Sequence, residues 1–194
     1  MAFEIVVVGT SSGGLKALQS LLSGLPAEFP LPLVIVQHRG RGSGPGLCEF
    51  LDQGSSLAVS EPEDKEIILP GHAYLAPQDY HLLIEERCFA LSTEPPVAFA
   101  RPSIDVLFES AADEYKEHAI GVILTGANRD GARGLARIKG NGGLALVEDP
   151  ASAAFREMPE AAIDLMDVDQ ILPLEEIAPF LAKLVSSGAE LYAT

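Results

Sequence analysis

The stretch FEIVVVGTSSGG, residues 3–14, decides the fold. Phe3 to Val8 is an apolar run that stops at Gly9, which suits a strand buried on both faces. After Gly13 and Gly14, Leu15, Leu18, Leu21, Leu22 and Leu25 recur at helical spacing and Pro26 lies just past them, so a helix follows the strand. A buried strand passing through a glycine-rich turn into a helix opens a parallel α/β unit. Leu33 to Gln37 repeats the strand signal, and a glycine-rich loop from Gly40 to Gly46 leads to a short helix near Leu47 to Leu51.

From Leu57 to Thr93 the texture changes. Short β-type runs at Ile67 to Leu69, Ala73 to Leu75, His81 to Ile84 and Cys88 to Leu91 are separated by turn residues, which predicts a small antiparallel insertion over about 57–93. Ser103 then stands as an N-cap before Ile104, Leu107, Phe108, Ala111, Ala112 and Tyr115, an amphipathic helical pattern. A strand over Ala119 to Leu124, a helix around Gly131 to Lys139, a strand over Gly143 to Val147 and helices around Pro159 to Met166 and Leu174 to Val185 complete the chain. The expected fold class is α/β: one domain over 1–194 with a doubly wound, mainly parallel sheet, helices on both faces and the small antiparallel insertion.

The chain has 194 residues, 47% of them hydrophobic, and needs no staple to hold a core. It contains only two cysteines, Cys48 and Cys88, and its N-terminus has no basic segment, long apolar stretch or small-residue cleavage site, so a cytoplasmic location is expected. Apolar runs such as Ile5 to Val8 are far short of the roughly 20 residues a membrane span requires. A net charge of −15 argues against nucleic acid and anionic membranes as partners.

In doubly wound sheets, sites form at the carboxyl ends of strands near the reversal of strand order. Three loops satisfy this: Gly9 to Gly14, His38 to Gly46 and Thr125 to Gly131. The segment Gly9 to Gly13 fits G-x-S-x-G, in which flanking glycines permit a sharp turn that projects Ser11 and frees the next backbone N–H as an oxyanion donor. The same loop also reads as a phosphate-binding turn at a helix N-terminus, although it has no P-loop lysine. A serine needs a base and the base needs an orienting group. His38 ends its strand at the same sheet edge as Ser11, and Asp130 lies just beyond the third strand, where it is expected to accept the Nδ1–H of His38 or to act as a plain helix N-cap before Gly131. His72, His81 and His118 lack this placement and read as structural or exposed.

Several separate segments resemble the catalytic domain of chemotaxis-type protein-glutamate methylesterases. VGTSSGG (8–14) is similar to that family's nucleophile loop and VQH (36–38) to its histidine strand, followed by LPGHAYLAP (69–77), RPSIDVLFES (101–110), GVILTG (121–126) and the Asp130-Gly131 pair. The resemblance implies Ser11 as nucleophile, His38 as general base, Asp130 as orienting carboxylate, and the backbone N–H groups of Ser12 and Ala127 as oxyanion donors. It implies hydrolysis of glutamate methyl esters on the cytoplasmic helices of chemoreceptor-type proteins, with release of methanol. It also allows glutamine deamidation, and it implies no metal or organic cofactor. The chain departs from the family where Ala127-Asn128-Arg129 replaces a usual Met-Gly-Asn, and where Arg39-Gly40-Arg41 replaces a frequent Met-Pro-Pro. The family's regulated members carry an N-terminal phospho-receiver domain; this chain starts directly at the catalytic segment, so control by phosphorylation in cis is not expected.

Arg39, Arg41, Arg129 and Arg133 suggest a cationic substrate rim that would attract acidic receptor segments to an otherwise anionic protein. Two other readings remain open from the sequence: a catalytically silent binding module of the same fold, and an esterase for another ester. Oligomeric state is left open, with a monomer favoured.

Overall fold

The computed structural model describes residues 3–39 and 46–190. Among these, seven strands form one sheet in which every neighbouring pair is parallel, in the order β3–β4–β2–β1–β7–β8–β9. The central strand is β1 (Ile5–Thr10), with β2 (Leu33–Gln37) on one side and β7 (Ala119–Ile123) on the other. Beyond β2 lie β4 (His72–Leu75) and β3 (Ala58–Ser60); beyond β7 lie β8 (Leu144–Glu148) and β9 (Gln170–Leu172). Strand order reverses at β1, so the carboxyl ends of β1, β2 and β7 open onto one crevice.

Alternation along the strands divides the core into two layers. Ile5, Val7, Val34 and Val36 face a layer with α3 (Ile104–Tyr115), α4 (Ala132–Gly140) and α5 (Glu157–Leu165). Val6, Val8, Leu33 and Ile35 face the opposite layer, with α1 (Gly14–Gly24), α2 (Leu47–Gln53) and α6 (Leu174–Glu190). All these strand side chains are fully buried, and each large one contributes roughly 1.5–3 kcal/mol by leaving water. No helix among the described residues is long and apolar enough to cross a membrane.

The expected doubly wound architecture is present, but the antiparallel insertion is smaller than its sequence texture suggests. Strand β4 runs parallel to β2, with Leu33 opposite Ala73, and β3 runs parallel to β4, so both extend the main sheet. Among the described strands, β5 (His81–Glu85) and β6 (Cys88–Ser92) alone pair antiparallel, and Ile67 adds an isolated antiparallel bridge to Cys88. Short runs between Pro and Gly turns do not encode strand direction; burial does, since Ala73, Tyr74 and Leu75 are covered on both faces, as a parallel strand requires. The β5–β6 hairpin lays Leu82, Ile84 and Phe89 against the α3 layer. The three-residue edge strand β9 is too short to show a pattern in sequence.

Candidate active site

The three strand ends are laced together by backbone and by the polar side chains of Thr10, Gln37 and Thr125. Thr10 stands opposite Gln37 and Gly9 opposite Ile123, so the residues that follow emerge side by side. The His38 N–H donates to Thr10 O and the Ser11 N–H to Thr125 O, both at 3.0 Å. Gln37 Nε2 donates to Ser11 O at 2.9 Å and to His38 O at 2.7 Å, tying the Ser11 loop to the histidine strand. Thr125 Oγ1 donates to Ser12 O at 2.9 Å, fixing the same turn from the other side. The sequence needs glycine at 14 for close approach: a Cβ there would lie 2.1 Å from Gln37 Oε1 and 2.5 Å from Thr10 Oγ1.

His38 Nε2 lies 2.8 Å from Asp130 Oδ2, and the Asp130 side chain is only 1% exposed. Its oxygens are fully engaged. Oδ1 accepts from Ser103 Oγ at 2.9 Å and from the Asp105 N–H at 3.0 Å, while Oδ2 also accepts from the Ile104 N–H at 2.7 Å. Burial works to raise the Asp130 carboxyl, but the hydrogen bonds from His38 and from the Asp105 and Ile104 backbone outweigh it and hold the group below the usual carboxylate range.

Two sequence expectations are corrected here. Ser103 occupies the N-cap position of α3, but its hydroxyl makes no cap; the first two N–H groups of that helix, those of Ile104 and Asp105, are taken by Asp130. Asp130 does not cap the helix that follows it either. Asp105 does, accepting from the Gly131 N–H at 3.0 Å and the Gly134 N–H at 2.9 Å. The starts of α3 and α4 are thus capped reciprocally, each by a carboxylate from beside the other. A charged, two-oxygen acceptor serves several N–H groups where a hydroxyl serves one.

The ring of His38 is also turned relative to expectation. Asp130 receives Nε2 rather than Nδ1, which leaves Nδ1 on the side of Asn128 and Ser11. There it meets Asn128 Nδ2 at 3.1 Å, and the same Nδ2 lies 3.5 Å from Ser11 Oγ, a weak contact. Asn128 Oδ1 accepts the Asp130 N–H at 3.0 Å. Ser11 and His38 share no direct hydrogen bond among the described residues; one amide group stands between them.

An open cleft of about 550 Å³ lies over these groups, lined by Ser11, Ser12, His38, Arg39, Asn128 and the fully exposed ring of Phe99. The backbone N–H groups of Ser12 and Ala127 have no hydrogen-bond partner among the described residues. Arg39 lies on the cleft wall, but its guanidinium is 8% exposed and paired with Glu61 at 2.9 Å. Arg133 is paired with Asp105 at 3.0 Å, outside the Ser11 cleft. Arg129 is exposed, with no ion-pair partner among the described residues, and Arg41 lies outside the described residues. His81, 2% exposed, is structural: Nε2 donates to Pro95 O and Nδ1 accepts the Ser103 N–H, each at 3.2 Å.

Sequence reasoning left Gln37, Asn128, Asp105 and Glu148 without roles. Gln37 carried a signal, a polar residue closing an otherwise apolar strand. Glu148 is the parallel case at the end of β8: it is 1% exposed and accepts the Thr125 N–H at 2.7 Å, and burial pushes its carboxyl above the usual range. Among the described residues no group of three or more His, Cys, Asp or Glu side chains is placed to hold a metal ion.

Comparison with known proteins agrees with this fold. A Leptospira interrogans protein, provisionally named a protein-glutamate methylesterase/protein-glutamine glutaminase, is 47% identical over 191 residues, covering 98% of this chain and 99% of its own length. A protein of the same name from Anaeromyxobacter dehalogenans is 44% identical over 181 residues, which are 93% of this chain but 53% of that longer protein. The crystal structure of the Thermotoga maritima CheB methylesterase catalytic domain superposes with a TM-score of 0.90 at 36% identity, covering 95% of this chain and 100% of that one. The CheB methylesterase family model matches residues 6–181, and this chain belongs to that family.

Proposed function

We propose that this chain is a serine hydrolase that removes methyl esters from glutamate side chains of chemoreceptor-type proteins, with glutamine deamidation as the analogous second reaction. The observation that carries the reading is the buried Asp130–His38 pair, whose second ring nitrogen is separated from Ser11 Oγ by a single amide group. Ser11 Oγ attacks the ester carbonyl carbon while its proton passes to His38 Nδ1. The backbone N–H groups of Ser12 and Ala127 receive the oxyanion. Collapse breaks the bond to methoxide, which takes the proton from Nδ1 and leaves as methanol, and water then hydrolyses the acyl-enzyme by the reverse relay. Asp130 stays ionised and holds the ring through Nε2.

The partner in this reading is a methylated cytoplasmic receptor helix with acidic neighbours, met in the cytoplasm. Arg39 and Arg101 line the cleft but are engaged, with Glu61 and with the Thr93 and Glu94 carbonyls, so the exposed charge we assign to such a partner is Arg129, next in sequence to the cleft residue Asn128. Methanol release from a methylated receptor fragment tests the reading. Wild type releases methanol, Ser11→Ala loses on the order of 10⁴-fold or more in rate, and Ser23→Ala on the surface of α1 matches wild type. Unchanged hydrolysis by Ser11→Ala refutes the assignment, and failure of wild type to react with a fluorophosphonate favours the silent binding module.

A further inference from the structure

Among the described residues, Asn128 is the side chain within hydrogen-bond range of both the His38 ring and the Ser11 hydroxyl. Its orientation is not free. The Asp130 N–H donates to Oδ1, so the amide cannot flip without setting two N–H groups against each other, and the NH₂ must face the ring. The ring is fixed from its other side: Nε2–H donates to the ionised Asp130, so Nδ1 carries the lone pair and accepts from Asn128. In this resting arrangement the nitrogen that should receive the Ser11 proton is already hydrogen-bonded, and Ser11 Oγ is the weaker of the two acceptors at 3.5 Å. Attack therefore requires the NH₂ to leave Nδ1, since a protonated Nδ1 and an amide N–H would be two donors face to face.

We infer that Asn128 is a catalytic residue whose carboxamide passes from the imidazole in the resting enzyme to the substrate oxygen in the transition state, acting as a side-chain oxyanion donor; this rests on the Ser11–His38–Asp130 reading. The oxygen that becomes negative is bonded to the carbon that Ser11 Oγ attacks, so it forms within reach of a donor already beside Oγ. With Oδ1 anchored on the Asp130 backbone, a rotation of the side chain carries Nδ2 from one acceptor to the other. As the Oγ–C bond forms, the Oγ proton moves to Nδ1 and the carbonyl π pair moves onto oxygen. The amide N–H that Nδ1 releases then meets that new charge. In the resting state the same amide keeps Ser11 and His38 apart until a carbonyl acceptor arrives.

The test compares Asn128→Ala and Asn128→Asp with wild type on a methylated receptor fragment and on a neutral small ester. Aspartate keeps an acceptor for the Asp130 N–H and replaces the donor by a carboxylate oxygen; alanine removes both. A donor role predicts that Asn128→Ala loses roughly a hundredfold in kcat on both substrates, with KM within about twofold, because the interaction exists only in the transition state. Asn128→Asp falls lower still, since it sets negative charge against the oxyanion. A purely structural role resting on Oδ1 predicts the opposite order, with Asn128→Asp near wild type, and that order or an unchanged kcat in Asn128→Ala overturns the inference. Ser11→Ala keeps the two readings apart: if it retains activity, the triad fails whatever Asn128 does. If it is inactive while Asn128→Ala keeps its kcat, only the role of Asn128 fails.

Discussion

The two sides of the His38 ring are built differently. On the Nε2 side the partner is a carboxylate, almost wholly buried, whose oxygens also hold Ser103 Oγ and the first N–H groups of α3. On the Nδ1 side the partner is a neutral amide on an exposed loop, with that amide's nitrogen 3.5 Å from Ser11 Oγ, at the edge of hydrogen-bond range. One side is fixed by many bonds that would all have to break together. The other is held by two that a side-chain rotation exchanges. The acid–base role proposed for His38 needs both, because such a ring must keep its tautomer and orientation while its proton-accepting nitrogen changes partners during turnover.

The largest effects should come from softening the rigid side. Asp130→Asn replaces an ionised acceptor by an amide that cannot satisfy His38, Ser103 and the α3 backbone at once. Turnover should fall on the order of 10⁴-fold, and unfolding in urea should show a loss of about 3 kcal/mol from the unsatisfied cap and the lost charge-assisted hydrogen bonds. Ordinary stability with lost turnover would mean that the carboxylate is not a structural centre, and would undo the comparison.

A smaller and graded test uses pH. The Asp130 carboxyl is held below its unfolded value, so its stabilisation is complete above about pH 5 and is lost as pH falls through the folded pKa. The stability gap between wild type and Asp130→Asn, measured by denaturant titration, should be constant from pH 7 to about pH 5 and should narrow below about pH 4. A gap that widens on acidification contradicts the sign. The smallest effect lies at the exposed border. Arg129→Glu should slow an acidic receptor fragment by about three- to tenfold at low salt, and a neutral small ester much less; equal effects on both would remove the cationic contact.

The same contrast separates what was legible in the sequence from what was not. Apolar runs ending in Gly9, Gln37-His38 and Thr125-Gly126 gave the strand ends, because parallel strands buried on both faces leave a continuous hydrophobic signature and their turns require small or polar residues. Helix α3 spans Ile104–Tyr115 as its periodicity predicted. Which carboxylate caps it could not be read, since the cap comes from Asp130, 26 and 25 positions away from Ile104 and Asp105. Ring orientation was equally hidden: either nitrogen of His38 fits a Ser-His-Asp pattern, and only packing selects Nε2 for Asp130. Arg39 looked like a free rim charge because its partner, Glu61, is 22 positions downstream. The region from 57 to 93 misled for a related reason, as strand polarity belongs to tertiary contacts and not to short alternating runs.

The reciprocal caps between Asp130 and Asp105 bind chemistry and architecture to one pair of side chains. Loosening α3 from α4 detaches the ring's support in the same motion, so heat inactivation and loss of the native far-ultraviolet signal should follow one curve. Anyone wishing to trap a receptor on an inert yet sturdy version of this protein should therefore alter the hydroxyl and leave both carboxylates alone.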